Sequence, residues 1–198
     1  MAEALPDIPL PSTIRSRYVD GINGLTIHVL EAGFETTGRP CLLLLHGFPE
    51  LAYSWRKVMP ALAEAGYHVI APDQRGYGRT AGWDGRYDGD LNSFRLLNLV
   101  RDALGLVSAF GYRRVDAVIG HDFGSPVAAW CALVRPDVFR AVALMSAPLE
   151  DRHRCRSTRP TSRRNRAAKT PCIASSPRCR GRVSIISGTI RHARRTTT

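Results

Sequence analysis

The sequence predicts an α/β fold with a mostly parallel sheet, on three observations. Short apolar runs alternate along the chain with amphipathic segments of helical period, the pattern that layers helices on both faces of a parallel sheet. Several of those runs stop at glycine-bearing loops, where a parallel sheet gathers its functional groups. All 19 leucines lie before residue 150, which confines the core-forming part to about the first three quarters of a chain of 198 residues.

Taken in order, residues 1–16 read as a polar, proline-containing lead-in. Residues 25–30 (Leu-Thr-Ile-His-Val-Leu) alternate and predict a strand with one exposed face. Residues 41–45 (Cys-Leu-Leu-Leu-Leu) are continuously apolar and predict a buried central strand ending at His46-Gly47. Trp55, Val58, Met59, Leu62 and Ala65 recur at steps of three and four, predicting a helix over 53–65 that Gly66 stops. A strand follows over 67–71, and the Gly-, Asp- and Arg-rich stretch 74–90 reads as loop. Phe94, Leu97, Arg101, Leu104 and Val107 mark a second helix over 91–110, ended by Gly111. Residues 115–119 predict a strand, 125–134 a helix with Pro126 in its first turn, and 141–145 a further strand.

Charge divides the chain in two. Residues 1–150 hold 14 Lys+Arg and 16 Asp+Glu, whereas residues 151–198 hold 14 Lys+Arg and one acid, Asp151. The net charge of +11 therefore comes from the tail, which carries 13 Arg and no Leu, Phe, Tyr, Trp or Met. That composition predicts a disordered basic tail, since it offers little apolar surface to offset ordering entropy. We therefore divide the chain into residues 1–150 and 151–198. Thirteen arginines would attract phosphates non-specifically, but without stacking aromatics or a reading helix no specific nucleic-acid partner is expected. Cys41 and Cys131 sit in apolar runs and read as core thiols. Cys155, Cys172 and Cys179, with His153 and His192 nearby, lack metal-ligand spacing, so no metal is expected. No secretory leader and no apolar run of membrane-spanning length is read, so no membrane association is expected and the chain is placed in the cytoplasm.

The chemistry concentrates in Gly120-His121-Asp122-Phe123-Gly124, after the apolar run 115–119. A strand that turns sharply into a helix, with small residues flanking the apex, describes a nucleophile elbow. Its apex here is Asp122. A carboxylate attacks carbon without a base to activate it and leaves an ester that water must cleave. The loop His46-Gly47-Phe48-Pro49-Glu50 lies at the same sheet edge. The backbone N–H groups of Phe48 and Phe123 are placed to form an oxyanion hole. His46, Gly47, Pro49 and Trp55 are the candidate substrate-pocket residues, with His46 also readable as a structural loop histidine and Trp55 as core. His121 reads as scaffold, Asp73 and Arg75 as an ion pair or a loop hydrogen-bond set, and Glu150 as a loop carboxylate.

His46-Gly47-Phe48-Pro49, Asp73-Gln74-Arg75-Gly76-Tyr77-Gly78 and Gly120-His121-Asp122-Phe123-Gly124-Ser125, in this order, resemble the α/β-hydrolase superfamily and, within it, the epoxide hydrolases. The resemblance covers about residues 12–149. It implies attack of Asp122 on an epoxide carbon to give a glycol ester, later cleaved by water to the diol, with a small-molecule epoxide as partner and no cofactor. It also implies a His–acid pair and two cap tyrosines beyond residue 150, which the tail does not match. On the resemblance, the fold is an α/β-hydrolase core lacking its cap and last strands, and the chain as it stands is expected to be inactive in turnover. The Arg-, Ser-, Thr- and Pro-rich, Leu-free tail has the composition of GC-rich coding DNA read in a wrong frame, pointing to a frameshifted or truncated product. A haloalkane dehalogenase using the same Asp remains open, although that family usually places Trp where Phe123 stands. So does a non-catalytic remnant with a non-specific basic tail. Oligomeric state is not legible.

Overall fold

The computed structural model describes residues 6–146 and the backbone of one further strand, Ile185–Ser187. Seven strands form one sheet: β1 (Ile14–Ile22), β2 (Leu25–Ala32), β3 (Cys41–Leu45), β4 (His68–Pro72), β5 (Ala117–His121), β6 (Val142–Met145) and β7 (Ile185–Ser187), in the spatial order β1-β2-β4-β3-β5-β6-β7. β1 pairs antiparallel with β2, and β2 with β4; the other four pairings are parallel. The α/β architecture with a mostly parallel sheet is the one the sequence predicts.

Among the described residues three α-helices cover the sheet: α1 (Met59–Glu64), α2 (Leu96–Ala109) and α3 (Gly124–Val134). On one face, Leu43, Leu45, Ile70 and Val118 pack beneath Leu99, Leu106 and Val107 of α2 and Val127 and Ala128 of α3. On the other, Leu30, Leu42, Leu44, Val69 and Ala71 pack with Met59 of α1. Successive side chains of a strand alternate between faces, so a strand covered on both sides has to be apolar throughout. β3 meets that demand, with all five residues buried. Cys41 and Cys131 are both buried in the core. Among the described residues no helix is long and apolar enough to cross a membrane.

Several elements differ from the sequence expectation, each for a physical reason. β1 lies partly inside the expected lead-in; its outward residues are mostly polar, so it shows no alternation. The turn that joins it to β2 is Asn23-Gly24, with φ of 51° and 83°. Two left-handed residues of this type make the tight turn that suits a hairpin's twist. β2 was expected to expose one face and is instead buried along nearly its whole length, because His28 and Glu31 find internal partners. The expected single helix over 53–65 is a 3₁₀ segment, Ala52–Lys57, followed by α1, with Pro60 at the break. Proline has no N–H to carry an earlier helix through that point. The expected helix 91–110 likewise begins as 3₁₀ turn Leu91–Phe94, capped by Asp90 accepting from the Asn92 N–H, before α2 starts.

The strand expected over 141–145 is β6, and β7 pairs with it in parallel, Val142 opposite Ile185 and Leu144 opposite Ser187. Three residues of the basic tail thus supply a short strand. The rest of the tail, with Cys155, Cys172, Cys179, His153 and His192, lies outside the described residues, as does Glu150.

Candidate active site

The loops that follow β3, β4 and β5 meet at one edge of the sheet, because these strands are parallel and in register: Leu42 stands opposite Val69 on one side and Ala117 on the other. Asp122 leaves β5 with φ of +48°, in the left-handed region that side-chain-bearing residues rarely adopt. Such a backbone persists only where its surroundings over-determine it. Here they do. A Cβ on Gly120 would lie 2.2 Å from the Gly124 carbonyl oxygen, and one on Gly124 would lie 2.3 Å from that of Leu45. The small residues that flank Asp122 are therefore required by the closeness of the backbone passing them. The Asp122 N–H donates to the Met145 carbonyl at 2.9 Å, and the buried Ser125 hydroxyl bridges Gly120 and Met145 at 2.8 and 2.9 Å. Ser125 thereby ties the elbow to the end of β6.

The loop after β3 presses against this apex. Gly47 is buried, and a Cβ there would meet Asp122 Cβ at 2.5 Å. The neighbouring Phe48 N–H donates to Asp122 Oδ1 at 3.0 Å. Hydrogen bonds from the Phe48 and Phe123 amides hold the Asp122 carboxyl below the usual carboxylate range. Both amides expected to form an oxyanion hole thus address the carboxylate itself. The side chains of Phe48 and Phe123 stand exposed around it. Pro49, joined to Phe48 by a cis peptide, is exposed beside them.

The other expected pocket residues fall behind this rim. His46 is fully buried. Its Nε2 accepts from the Gln74 N–H at 3.0 Å, and its Nδ1 donates to the Gly47 carbonyl at 2.9 Å. Burial pushes its pKa down, so it is a neutral imidazole with both nitrogens occupied. It spaces the 46–50 loop from the 73–78 loop and offers no base. Trp55 packs against the core cluster that includes Leu30, Leu42 and Met59, with its Nε1 buried and without a partner among the described residues. His121 Nδ1 lies 3.3 Å from Glu50.

Asp73 and Arg75 do not pair with each other. Asp73 accepts from His28 Nδ1 at 2.8 Å, from the Ala52 N–H at 2.9 Å and from the Arg79 N–H at 3.0 Å. Arg75 forms a two-pronged pair with Asp102 of α2, at 2.8 and 2.7 Å. One residue of the motif braces the loops from within, and the other bolts them to a helix. Sequence reasoning assigned no role to Asp102, His28, Ser125 or Tyr77. Tyr77 sets its ring edge-on to His46, 5.0 Å between centroids, and burial together with the charge of Asp122 raises its pKa. Asp102 had a readable signal, an acid on the buried stripe of an amphipathic helix, which calls for a partner.

The family described as alpha/beta hydrolase fold matches residues 40–168. Among curated relatives, epoxide hydrolase A of Mycobacterium tuberculosis is 44% identical over 132 residues, which is 67% of this chain and 38% of the relative. An epoxide hydrolase of Caballeronia sordidicola is 40% identical over 135 residues, covering 68% of this chain and 38% of the relative. Of solved structures, an epoxide hydrolase from an endophytic Streptomyces superposes with a TM-score of 0.62 at 45% identity, over 71% of this chain and 39% of that one. Epoxide hydrolase A from Mycobacterium thermoresistibile gives 0.62 at 43% identity, over 69% and 40%. The chain thus spans about two fifths of the length of these relatives.

Proposed function

The chain belongs to the α/β-hydrolase fold family, and from that premise we propose that Asp122 attacks a carbon of a small-molecule epoxide to form an aspartyl ester. The observation that carries the reading is the geometry of the apex: a carboxylate on a left-handed elbow residue, with the Phe48 amide on one of its oxygens. Oδ1 accepts from that amide, and Oδ2 is assigned as the attacking oxygen. As the Oδ2–carbon bond forms, the ring carbon–oxygen bond breaks, and the ring oxygen takes a proton from water. Oδ1 becomes the carbonyl oxygen of the glycol ester. It is already inside the hydrogen bond that stabilises negative charge there when water later adds to the ester. The 40–45% identity to epoxide hydrolases supports the epoxide as substrate class.

Completion of the cycle needs a base to activate that water. Among the described residues no histidine hydrogen-bonds to Asp122: His28 is held by Asp73 and Ser16, His46 by Gln74 and Gly47, His68 by Glu31 and Tyr112, and His121 faces Glu50. We therefore propose that the chain by itself stops at the ester.

The test is incubation of the purified chain with styrene oxide and peptide mapping by mass spectrometry. One ester at Asp122, absent from Asp122→Asn, with no accumulating diol, is the expected result. Steady diol production abolished by Asp122→Asn would show that a base is present. Halide release from a haloalkane, with no reaction toward epoxides, would instead assign the same carboxylate to dehalogenation.

A further inference from the structure

A second chain of reactive side chains lies away from Asp122. Ser16 Oγ is 2.8 Å from His28 Nε2, and His28 Nδ1 is 2.8 Å from Asp73 Oδ2. A carboxylate only accepts hydrogen bonds, so Nδ1 carries the proton, and Nε2 accepts from the Ser16 hydroxyl. This is the serine–histidine–aspartate order in which a histidine takes the serine proton and the carboxylate holds the ring in the required tautomer.

The three residues differ in setting in the way such a relay requires. Asp73 is buried, and burial pushes its pKa up. The hydrogen bonds from His28 and from the Arg79 and Ala52 amides outweigh that and keep it ionised. His28 is only 1% exposed; its backbone N–H donates to Thr80 Oγ1 at 3.1 Å, and its ring is held through Nδ1 by Asp73. Ser16, on β1, is exposed. A cavity of about 280 Å3 lined by Ile8, Pro9, Leu51 and Tyr53, with Asp7 and Arg79, touches His28 and Asp73 but not Ser16, so the relay itself, and not this cavity, carries the inference.

We propose that Ser16 is a second nucleophile of this chain, activated by His28 and Asp73 and reactive toward small electrophilic esters. With a carboxylic ester, Ser16 Oγ bonds to the carbonyl carbon while its proton passes to His28 Nε2. The tetrahedral adduct then expels the alcohol, which takes that proton, and leaves acyl-Ser16. With an alkyl fluorophosphonate, Oγ bonds to phosphorus, the phosphorus–fluorine bond breaks and fluoride departs. The inference is independent of the reading of Asp122.

The whole chain is treated with an alkyl fluorophosphonate, and labelled peptides are quantified by mass spectrometry. Ser54 and Ser108, also exposed, serve as internal references for ordinary serine reactivity. Labelling of Ser16 at least about tenfold faster than either, kept in Asp122→Asn and lost in Ser16→Ala, is expected. A general base contributes roughly 10²–10⁴-fold, so His28→Gln slows Ser16 labelling by about 10² or more. Equal labelling of Ser16, Ser54 and Ser108 overturns the proposal, as does undiminished Ser16 labelling in a folded His28→Gln variant. If that variant does not fold, the comparison of serines within the unaltered chain decides alone.

Discussion

The Phe48 amide reaches Asp122 Oδ1 at 3.0 Å across 74 positions of sequence. One hydrogen bond therefore joins the loop after β3 to the apex after β5, and together with the Phe123 amide it lowers the pKa of the Asp122 carboxyl. It favours the charged form, so the Asp122 pKa falls below its ordinary value of 3.8.

The sign of that shift determines a pH profile. A lowered pKa keeps the carboxylate ionised as pH falls, so alkylation of Asp122 by an epoxide should be flat from neutrality down to about pH 4. It should decline only below the ordinary carboxylate range. Rates of ester formation followed by intact mass at a series of pH values check this. A midpoint at pH 5 or above would mean that burial, not the amides, governs the group.

The same contact makes Gly47 the most size-sensitive position in the loop. A Cβ there would sit 2.5 Å from Asp122 Cβ and 2.8 Å from Oδ1, closer than real atoms approach. Gly47→Ala must move either the loop or Asp122. Displacement of about 1 Å at a reacting group costs roughly 10²-fold in rate. We expect Gly47→Ala to cut Asp122 alkylation by about that factor, with a loss of about 1–3 kcal/mol in stability from overpacking. Parallel alkylation and thermal-melt measurements separate the two effects.

How much of this was legible in the sequence follows from how local each signal is. β3 and the elbow were readable because a run of apolar residues, or a glycine on either side of an acid, carries its own structural meaning. β1 was hidden because its outward face is polar and its pairing is made through β2, although Asn23-Gly24 announces the hairpin. The partners of Asp73 and Arg75 were not readable. They lie 45 and 27 positions away, and nothing local distinguishes His28 or Asp102 as the recipient. β7 was missed because a strand of three residues in an arginine-rich stretch has no periodicity to show.

The pairing of Arg75 with Asp102 carries the third prediction. Both side chains are buried, and Asn23 Nδ2 adds a hydrogen bond to Asp102 at 2.6 Å. Removing one partner strands a buried charge, at a cost of about 3–5 kcal/mol, whereas replacing both with apolar residues of similar volume is far milder. Asp102→Ala should therefore destabilise by about that amount. Arg75→Met combined with Asp102→Leu should recover most of the loss in urea unfolding. A double variant no more stable than Asp102→Ala would show that the pair acts through its geometry and not through charge compensation.

Glu31 gives the fold a defined acid limit. It is 1% exposed and lies between β1 and β4, accepting from Arg15 at 2.9 Å through both of its oxygens and from His68 Nε2 at 2.8 Å. Burial alone pushes its pKa up, but the hydrogen bonds from His68 and Arg15 prevail and hold it at about 2, against an ordinary 4.5. A group whose pKa is lowered by folding contributes stability above its unfolded value and loses it as pH falls through its folded value. Glu31 therefore contributes fully above about pH 4.5 and progressively less toward pH 2, a span worth about 3 kcal/mol. Glu31→Gln should lower stability at pH 7 by that order and flatten the acid limb of the stability profile between pH 4.5 and 2. Urea unfolding of both proteins across that range tests it. Parallel acid limbs in the two would assign the loss of stability to other carboxylates, with Asp73 the next candidate because its pKa is lowered in the same sense.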